Sequence, residues 1–382
     1  MKPISMPASS RIELVDALRG FALLGIILAN VPFDPGAEND AWLERFFHWF
    51  IDKKFITLFS ILFGFGFSVQ LSRAREKGIN FVPYFLIRML LLLVIGSIHA
   101  YLLWCGDILR DYALCGMLLL VFANGSKRNI LRAGIFLSVF LTAVIFILNG
   151  VFELRSTYPY DLGLLNELEY ATTYGRYLQI NFTIDPFVNF VHDSPLTLSF
   201  ALGCMLIGFW LGRTDFFRFP EKHHKRIMQW IWLGGTAGVA ASVGYWMVIS
   251  GRLELELSVI WLVFLIVGGM LMQSLAYIAL FVKLYSRPQI RKLLKLFVAI
   301  GRMALTNYVL QTVFFTVFFF HWFPGFRLHG ELSMSQTWLL ALLFFAGQVL
   351  FSRYWLKRYA QGPLEFLWRK ISDRFFRAKT QV

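Results

Sequence analysis

Apolar residues are gathered into long blocks, and the polar ones fall between the blocks. Runs of about 20 apolar residues are long enough to cross a bilayer as helices. Ten such runs can be read, at roughly residues 15–33, 55–72, 82–103, 107–123, 130–151, 195–212, 227–249, 257–282, 297–320 and 337–355. The pattern predicts an all-α polytopic membrane protein, a bundle of about ten transmembrane helices. It forms one domain over 1–382: an N-terminal half 1–151, an outward loop 152–194, a C-terminal half 195–356 and a basic tail 357–382. Residues 34–54 set Trp42, Phe46, Phe47, Trp49 and Phe50 among charges, which predicts an aromatic helix at the membrane interface. The pairs Gly208/Gly212 and Gly234/Gly238 have the small-xxx-small spacing of close helix contact.

Charge placement orients the bundle. Basic clusters at Arg73/Arg75/Lys77, Lys127/Arg128/Arg132, Arg213 to Arg226 and Arg287 to Lys295 alternate with acidic segments. The acidic ones hold Asp34, Glu38, Asp40 and Glu44, then Glu153, Asp161, Glu167, Glu169 and Asp185, then Glu254 and Glu256. The positive-inside rule then puts both termini in the cytoplasm. Composition agrees, since 57% hydrophobic and only 16% charged residues exclude an ordinary soluble enzyme and a disordered chain. The net charge of +14 lies in short loops rather than in a basic stripe interleaved with aromatics, so nucleic acid is excluded as a partner. Cys105, Cys115 and Cys204 are odd in number and form no C-x-x-C, which leaves neither a disulfide framework nor a metal site. No P-loop, dinucleotide fingerprint, H-E-x-x-H or G-x-S-x-G occurs.

Polar groups inside the apolar runs are the informative positions, because each must find a partner, reach water or serve a purpose. Arg19 stands one turn into the first run with Asp16 at i−3; the alternative to an anion site is a snorkelling arginine paired to Asp16. Arg302 has the matching depth in the ninth run, with Asn307 and Gln311 on one face beyond it, and interhelical hydrogen-bond glue is the alternative there. Convergence of Arg19 and Arg302 would give a phosphate-binding site open to the cytoplasm. His99 and Asp107 flank a tight connection near the outer end, where a carboxylate orients an imidazole for proton transfer; an N-capping Asp107 is the alternative. Tyr112 extends this pair into a small polar cluster. Lys54, with Thr57 and Ser60, faces an outward cavity or snorkels to the interface.

Several of these stretches together resemble the YeiB-like family of bacterial inner-membrane proteins, a domain of unknown function. The resemblance rests on Val15-Asp16-Ala17-Leu18-Arg19-Gly20, Lys54-Phe55-Ile56-Thr57-Leu58-Phe59, Gly96-Ser97-Ile98-His99 with Gly106-Asp107-Ile108-Leu109, and Gly301-Arg302-Met303-Ala304-Leu305-Thr306-Asn307-Tyr308. It extends to Phe351-Ser352-Arg353-Tyr354-Trp355-Leu356 and the segment from Gln361 to Arg369. Leu18-Arg19-Gly20 also gives a distant likeness to the transmembrane acyltransferases, of the acyltransferase-3 type and of the lysosomal heparan N-acetyltransferase type. In the former a histidine stands where Asn30 stands here; the latter has an asparagine there, so His99 or His48 becomes the replacement candidate.

These readings converge on an enzyme that moves an acyl or related group from a cytoplasmic anionic donor to an acceptor outside. Arg19, Arg302, Asn30, Asn307, Gln311 and Lys54 are the candidate donor- or substrate-binding residues; His99 and Asp107 are the catalytic pair. Acyl-coenzyme A is the expected donor, with no permanently bound cofactor and no metal. Membrane lipids and a small-molecule or lipid substrate are the expected partners, and a homo-oligomer is left open. A transporter or flippase for an anionic metabolite or lipid, and a lipid-binding scaffold without turnover, are the alternatives.

Overall fold

The computed structural model describes residues 12–32, 40–151, 164, 167–168, 170–185, 190–253 and 261–380. Most of the outward loop lies outside these residues, as do Asp34, Glu38, Glu153, Asp161, Glu169, Glu254 and Glu256.

Among the described residues each of the ten apolar runs is mostly helical, and no strand occurs. The N-terminal half holds α1 (Glu13–Asn30), α2 (Ala41–Phe50), α3 (Lys54–Glu76), α4 (Phe81–Leu102) and α5 (Leu109–Leu119). There α6 (Lys127–Ile135) also runs through a π-helical stretch, Phe136–Leu141, into α7 (Thr142–Val151). A short α8 (Tyr174–Thr183) precedes α9 (Phe190–Gly212), α10 (His224–Ile249), α11 (Leu262–Tyr285) and α12 (Pro288–Leu294). Then come α13 (Leu296–Arg302), α14 (Ala304–Phe318), α15 (Met334–Arg358) and the amphipathic tail helix α16 (Pro363–Thr380).

Among the described residues seven helices are long and apolar enough to cross a membrane, or eight if a bent pair counts as one span. The difference from ten has three physical sources. Glu13, Asp16 and Arg19 lie within α1, and α5 has only 11 residues. The ninth run breaks at Met303, where α13 and α14 meet at 90°. Yet α1 is among the most enclosed helices, with Leu18, Leu23, Ile27 and Ala22 fully buried. Of its charges Asp16 is buried and pairs with Arg19, and Glu13 pairs with Lys295, partners that hydropathy cannot register.

Glycines set the closest contacts. A Cβ at Gly20 would overlap the Phe297 carbonyl and one at Gly301 the Asp16 carbonyl, so α1 and α13 touch backbone to backbone. Gly208 lies in the same way on the Ile61 carbonyl of α3, and Gly234 on the Met272 carbonyl of α11. The loops gather at two ends. At the basic end Arg75 and Arg213 both donate to the Ala123 carbonyl, and Lys295 pairs with Glu13 at 3.1 Å. At the other end Asn181 of α8 donates to the carbonyls of Ala100 and Tyr101. There α2 turns into α3 through Lys53, whose φ of 64° is left-handed.

Candidate functional site

A cavity of about 820 Å³ opens at the basic end and runs inward between α3, α4, α5, α14 and α16. Four half-buried arginines line it, Arg19, Arg73, Arg88 and Arg302, and the exposed Lys77 and Arg369 stand at its mouth. Arg19 and Arg302 each adjoin one of the two glycines that seat α1 on α13, and this backbone contact turns both side chains into one space. Gly66 leaves room for the Arg19 tip: a Cβ there would lie 3.1 Å from its Nη2. Arg19 also pairs with Asp16 at 3.2 Å, and Arg302 donates through Nη2 to the Ala360 carbonyl at 2.9 Å. The Nε–H groups of Arg88 and Arg302 are buried without an acceptor, an unsatisfied arrangement that an anionic group in the cavity would relieve.

The tail helix forms one wall. Arg88 stacks on the Trp368 ring at 4.1 Å, and the Trp368 indole donates to the Arg88 carbonyl at 2.9 Å. Glu365 caps the N-terminus of α14, accepting from Leu305 N at 2.7 Å, Thr306 N at 3.1 Å and Thr306 Oγ1 at 2.5 Å. Burial lifts the Glu365 carboxyl above the ordinary carboxylate range, against the hydrogen bonds from Thr306 and Leu305 that pull it down.

The blind end of the cavity is closed by Ile108, Tyr112 and Tyr308. Ile108 N donates to the Tyr308 hydroxyl at 3.3 Å, and the Tyr308 ring lies 5.3 Å from that of His99. His99 and Asp107 stand immediately behind this floor, both buried. Asp107 Oδ1 is 2.9 Å from His99 Nδ1 but off the N–H direction, so the pair is in close contact and a small side-chain rotation would align it. On the other ring nitrogen, Nε2 is 2.9 Å from Thr312 Oγ1. With its proton on Nδ1, facing the carboxylate, the imidazole presents Nε2 as an acceptor for that hydroxyl. Asp107 also accepts from Arg110 N at 2.9 Å, and Arg110 pairs with Asp185 at 2.6 Å. The carboxylate thus belongs to a buried network tied to the segment after α8. Tyr112 shares a 2.7 Å hydrogen bond with Ser60.

The other sequence-selected residues lie elsewhere. Asn307 donates to the Ile300 and Met303 carbonyls and to Ser352, and Gln311 to the Leu23 carbonyl and Gln348. They tie α14 to α15 and α1, as hydrogen-bond glue does, and neither lines the cavity. Lys54 is fully buried and donates to the His48 carbonyl at 2.6 Å rather than snorkelling to the interface. His48 stands 3.5 Å from Asp52. Asn30 is the last residue of α1, at the end remote from the cavity. Sequence reasoning passed over Arg88, although a lone arginine in an apolar run is the same signal that marked Arg19. It also missed Thr312, an ordinary helical threonine until its partner is known. Among the described residues no cluster of His, Cys, Asp and Glu is suited to a metal ion.

A family model described as "Protein of unknown function (DUF418)" matches residues 211–374, which take in Arg302, Thr312 and Glu365. The chain is 31% identical over 401 residues to the uncharacterized protein YxaH of Bacillus subtilis (strain 168), covering 95% of this chain and 94% of that protein. It is 29% identical over 386 residues to the uncharacterized protein YeiB of Escherichia coli (strain K12), covering 94% and 96%. An uncharacterized 39.9 kDa protein in the amylase 3' region of Bacillus acidopullulyticus is 30% identical over 390 residues, covering 97% and 96%. No solved structure matches the chain.

Proposed function

The chain belongs to the YeiB-like family of proteins of unknown function (DUF418), and we propose that this member is a bacterial inner-membrane transferase that moves an acyl or related group from a cytoplasmic anionic donor to an acceptor on the outer side. The observation that carries the reading is the continuity of one cavity from a basic mouth to a floor whose Tyr308 touches His99. In this reading the basic end is cytoplasmic. α1, α5 and the broken α13–α14 pair complete ten crossings, so both termini lie inside.

The donor, with acyl-coenzyme A as the expected one, sets its phosphates among Arg19, Arg73, Arg88 and Arg302 and points its thioester at the floor. The acceptor's oxygen or nitrogen bonds to the thioester carbonyl carbon while the carbon–sulfur bond breaks. Its proton passes to His99, and the thiolate leaves toward the mouth. Asp107 holds the imidazole in the tautomer that accepts at Nε2 and stabilises its charged form; deprotonation of the acceptor by the imidazole so placed is worth roughly 10²–10⁴-fold in rate. Support for this division of labour comes from the separation of the basic mouth from the His99–Asp107 pair by an intervening lining that is mostly apolar.

One observation favours the transporter as second reading: the 90° break beside Arg302, since discontinuous helices mark substrate sites in many transporters. Purified protein in nanodiscs, supplied with labelled acyl-coenzyme A and amine or hydroxyl acceptors, separates the two. A transferase yields a covalent product that His99→Ala abolishes. A transporter yields none, and its uptake loses proton coupling in the same variant.

A further inference from the structure

At the end remote from the basic mouth, we infer that the chain holds an anionic phospholipid of the adjoining leaflet. Its phosphate lies between Arg45 and Arg252, and its glycerol and upper acyl chains lie against a wall of tryptophan and phenylalanine. This goes beyond the transferase reading and uses neither its donor nor its acceptor.

The wall begins with the seating of α2. The last carbonyls of a helix have no partner within it, and here those of His48, Trp49 and Phe50 are met from neighbouring helices. Lys54 Nζ donates to the first at 2.6 Å, Gln273 Nε2 to the second at 2.8 Å and the Tyr277 hydroxyl to the third at 2.8 Å. With α2 pinned to α3 and α11, and with Leu43 and Phe47 buried, its remaining face is fixed as well. Trp42, Arg45, Phe46 and Trp49 share that face at i, i+3, i+4 and i+7. Across an open pocket of about 570 Å³ they meet Trp246, in the last turn of α10, and Arg252 just beyond it. Trp49 and Trp246 stand edge to face at 6.1 Å, and the Arg252 guanidinium lies 4.5 Å over the Trp246 ring.

Charge and position select the ligand. At the same end Arg176 is paired with Glu167, whereas among the described residues no carboxylate pairs with Arg45 or Arg252. Two guanidinium groups on one pocket suit a phosphate, which each can bind through paired N–H donors. A soluble phosphate ester would leave the rings in water, with Trp42 61% and Phe46 41% exposed. A lipid covers them, and tryptophan is favoured at headgroup depth. A net negative headgroup fits better than a zwitterionic one, whose ammonium would be repelled by the two arginines.

Brominated lipids quench tryptophan fluorescence on contact, which makes the pocket its own reporter. The full chain in neutral detergent is titrated with brominated phosphatidylglycerol, with brominated phosphatidylcholine as reference and glycerol 3-phosphate as soluble competitor. The expected result is a saturable component that needs less phosphatidylglycerol than phosphatidylcholine and is not displaced by glycerol 3-phosphate. It should vanish when Trp42, Trp49 and Trp246 are all replaced by Phe. Arg45→Gln and Arg252→Gln should each raise the half-quenching concentration roughly fivefold, the equivalent of about 1 kcal/mol per basic residue at an anionic surface, with unchanged Tm. Native mass spectrometry of the wild-type chain gives a reading that needs no variant: phosphatidylglycerol retained in preference to phosphatidylcholine. Equal quenching and equal retention of the two lipids, or folded arginine variants that keep the wild-type curve, overturn the inference. Displacement by glycerol 3-phosphate overturns it in favour of a soluble phosphate ester.

Discussion

Gly96 lies on α4 one turn before His99, facing the loop that carries Asp107. A Cβ built there would stand 2.8 Å from Arg110 N, 2.9 Å from Asp107 Oδ2 and 3.0 Å from Leu109 Cβ. The first two atoms are hydrogen-bonded to each other at 2.9 Å, so neither yields without moving the other. Relief to ordinary contact at 3.4 Å requires the 107–110 backbone to retreat by roughly 0.5 Å. Gly96→Ala should therefore cost ~1–3 kcal/mol of stability, the range of overpacking substitutions. It should also draw the Asp107 carboxylate away from His99 Nδ1. A 1 Å displacement of a catalytic group costs up to about 10²-fold, so half of that predicts roughly a tenfold fall in kcat with little change in KM, because the basic mouth is untouched. Single-turnover kinetics alongside thermal unfolding in nanodiscs reads both quantities. A Gly96→Ala protein with unchanged Tm and unchanged kcat would refute the tight seating of Asp107 and the role given to it.

Four further outcomes follow from the same geometry. Breaking the buried Arg110–Asp185 pair by Asp185→Ala should cost about 3–5 kcal/mol, read as lost thermal stability, because it removes the nearer carboxylate and leaves the buried guanidinium with Asp107 at 3.9 Å; replacing both partners by apolar residues of similar volume should restore most of it. Gly66→Ala should fold normally, yet weaken donor binding by pressing on the Arg19 tip, which calorimetry detects. Glu365 has a folded pKa above its unfolded value, so its contribution to stability is fully present below the unfolded pKa and is lost as pH rises through the folded one; a Glu365→Gln protein should have a flatter dependence of Tm on pH across the acidic range. Reporter fusions after residues 76, 127, 222 and 291 should report cytoplasm, and fusions near 40, 165 and 254 the outside, with an inverted result in the long loop contradicting the assigned orientation.

The helices were legible because apolar blocks of bilayer length have few alternatives, and the described part of each apolar run is mostly helical. Span count was less so. Hydropathy treats Glu13, Asp16 and Arg19 as barriers to a crossing, whereas each has a protein partner: Glu13 pairs with Lys295, and Arg19 with the buried Asp16. The same blindness affects the site. Spacing marked Arg19, Arg302, His99 and Asp107 as costly polar residues, but which of them share a space depends on the Gly20 and Gly301 contacts, a pairing across most of the chain. Asn307 and Gln311 carried the same polar signal as Arg302, yet their amides are engaged by carbonyls and side chains of α1 and α15. Nothing in the sequence tells a glutamine used as glue from one left for a ligand, and Thr312 acquires meaning only beside His99.

The central claim is that a donor in the basic cavity passes its group to an acceptor on the far side through the His99 region. Proteoliposomes with the protein in one orientation, a labelled acyl donor on the basic-face side only and acceptor on the opposite side only, test it most directly. The account predicts covalently labelled acceptor on the far side, formed in proportion to donor supplied, lost in His99→Ala and strongly reduced in Arg302→Gln. Labelled donor that crosses unchanged, or no transfer from any arginine-bound donor with the wild-type chain, would contradict it.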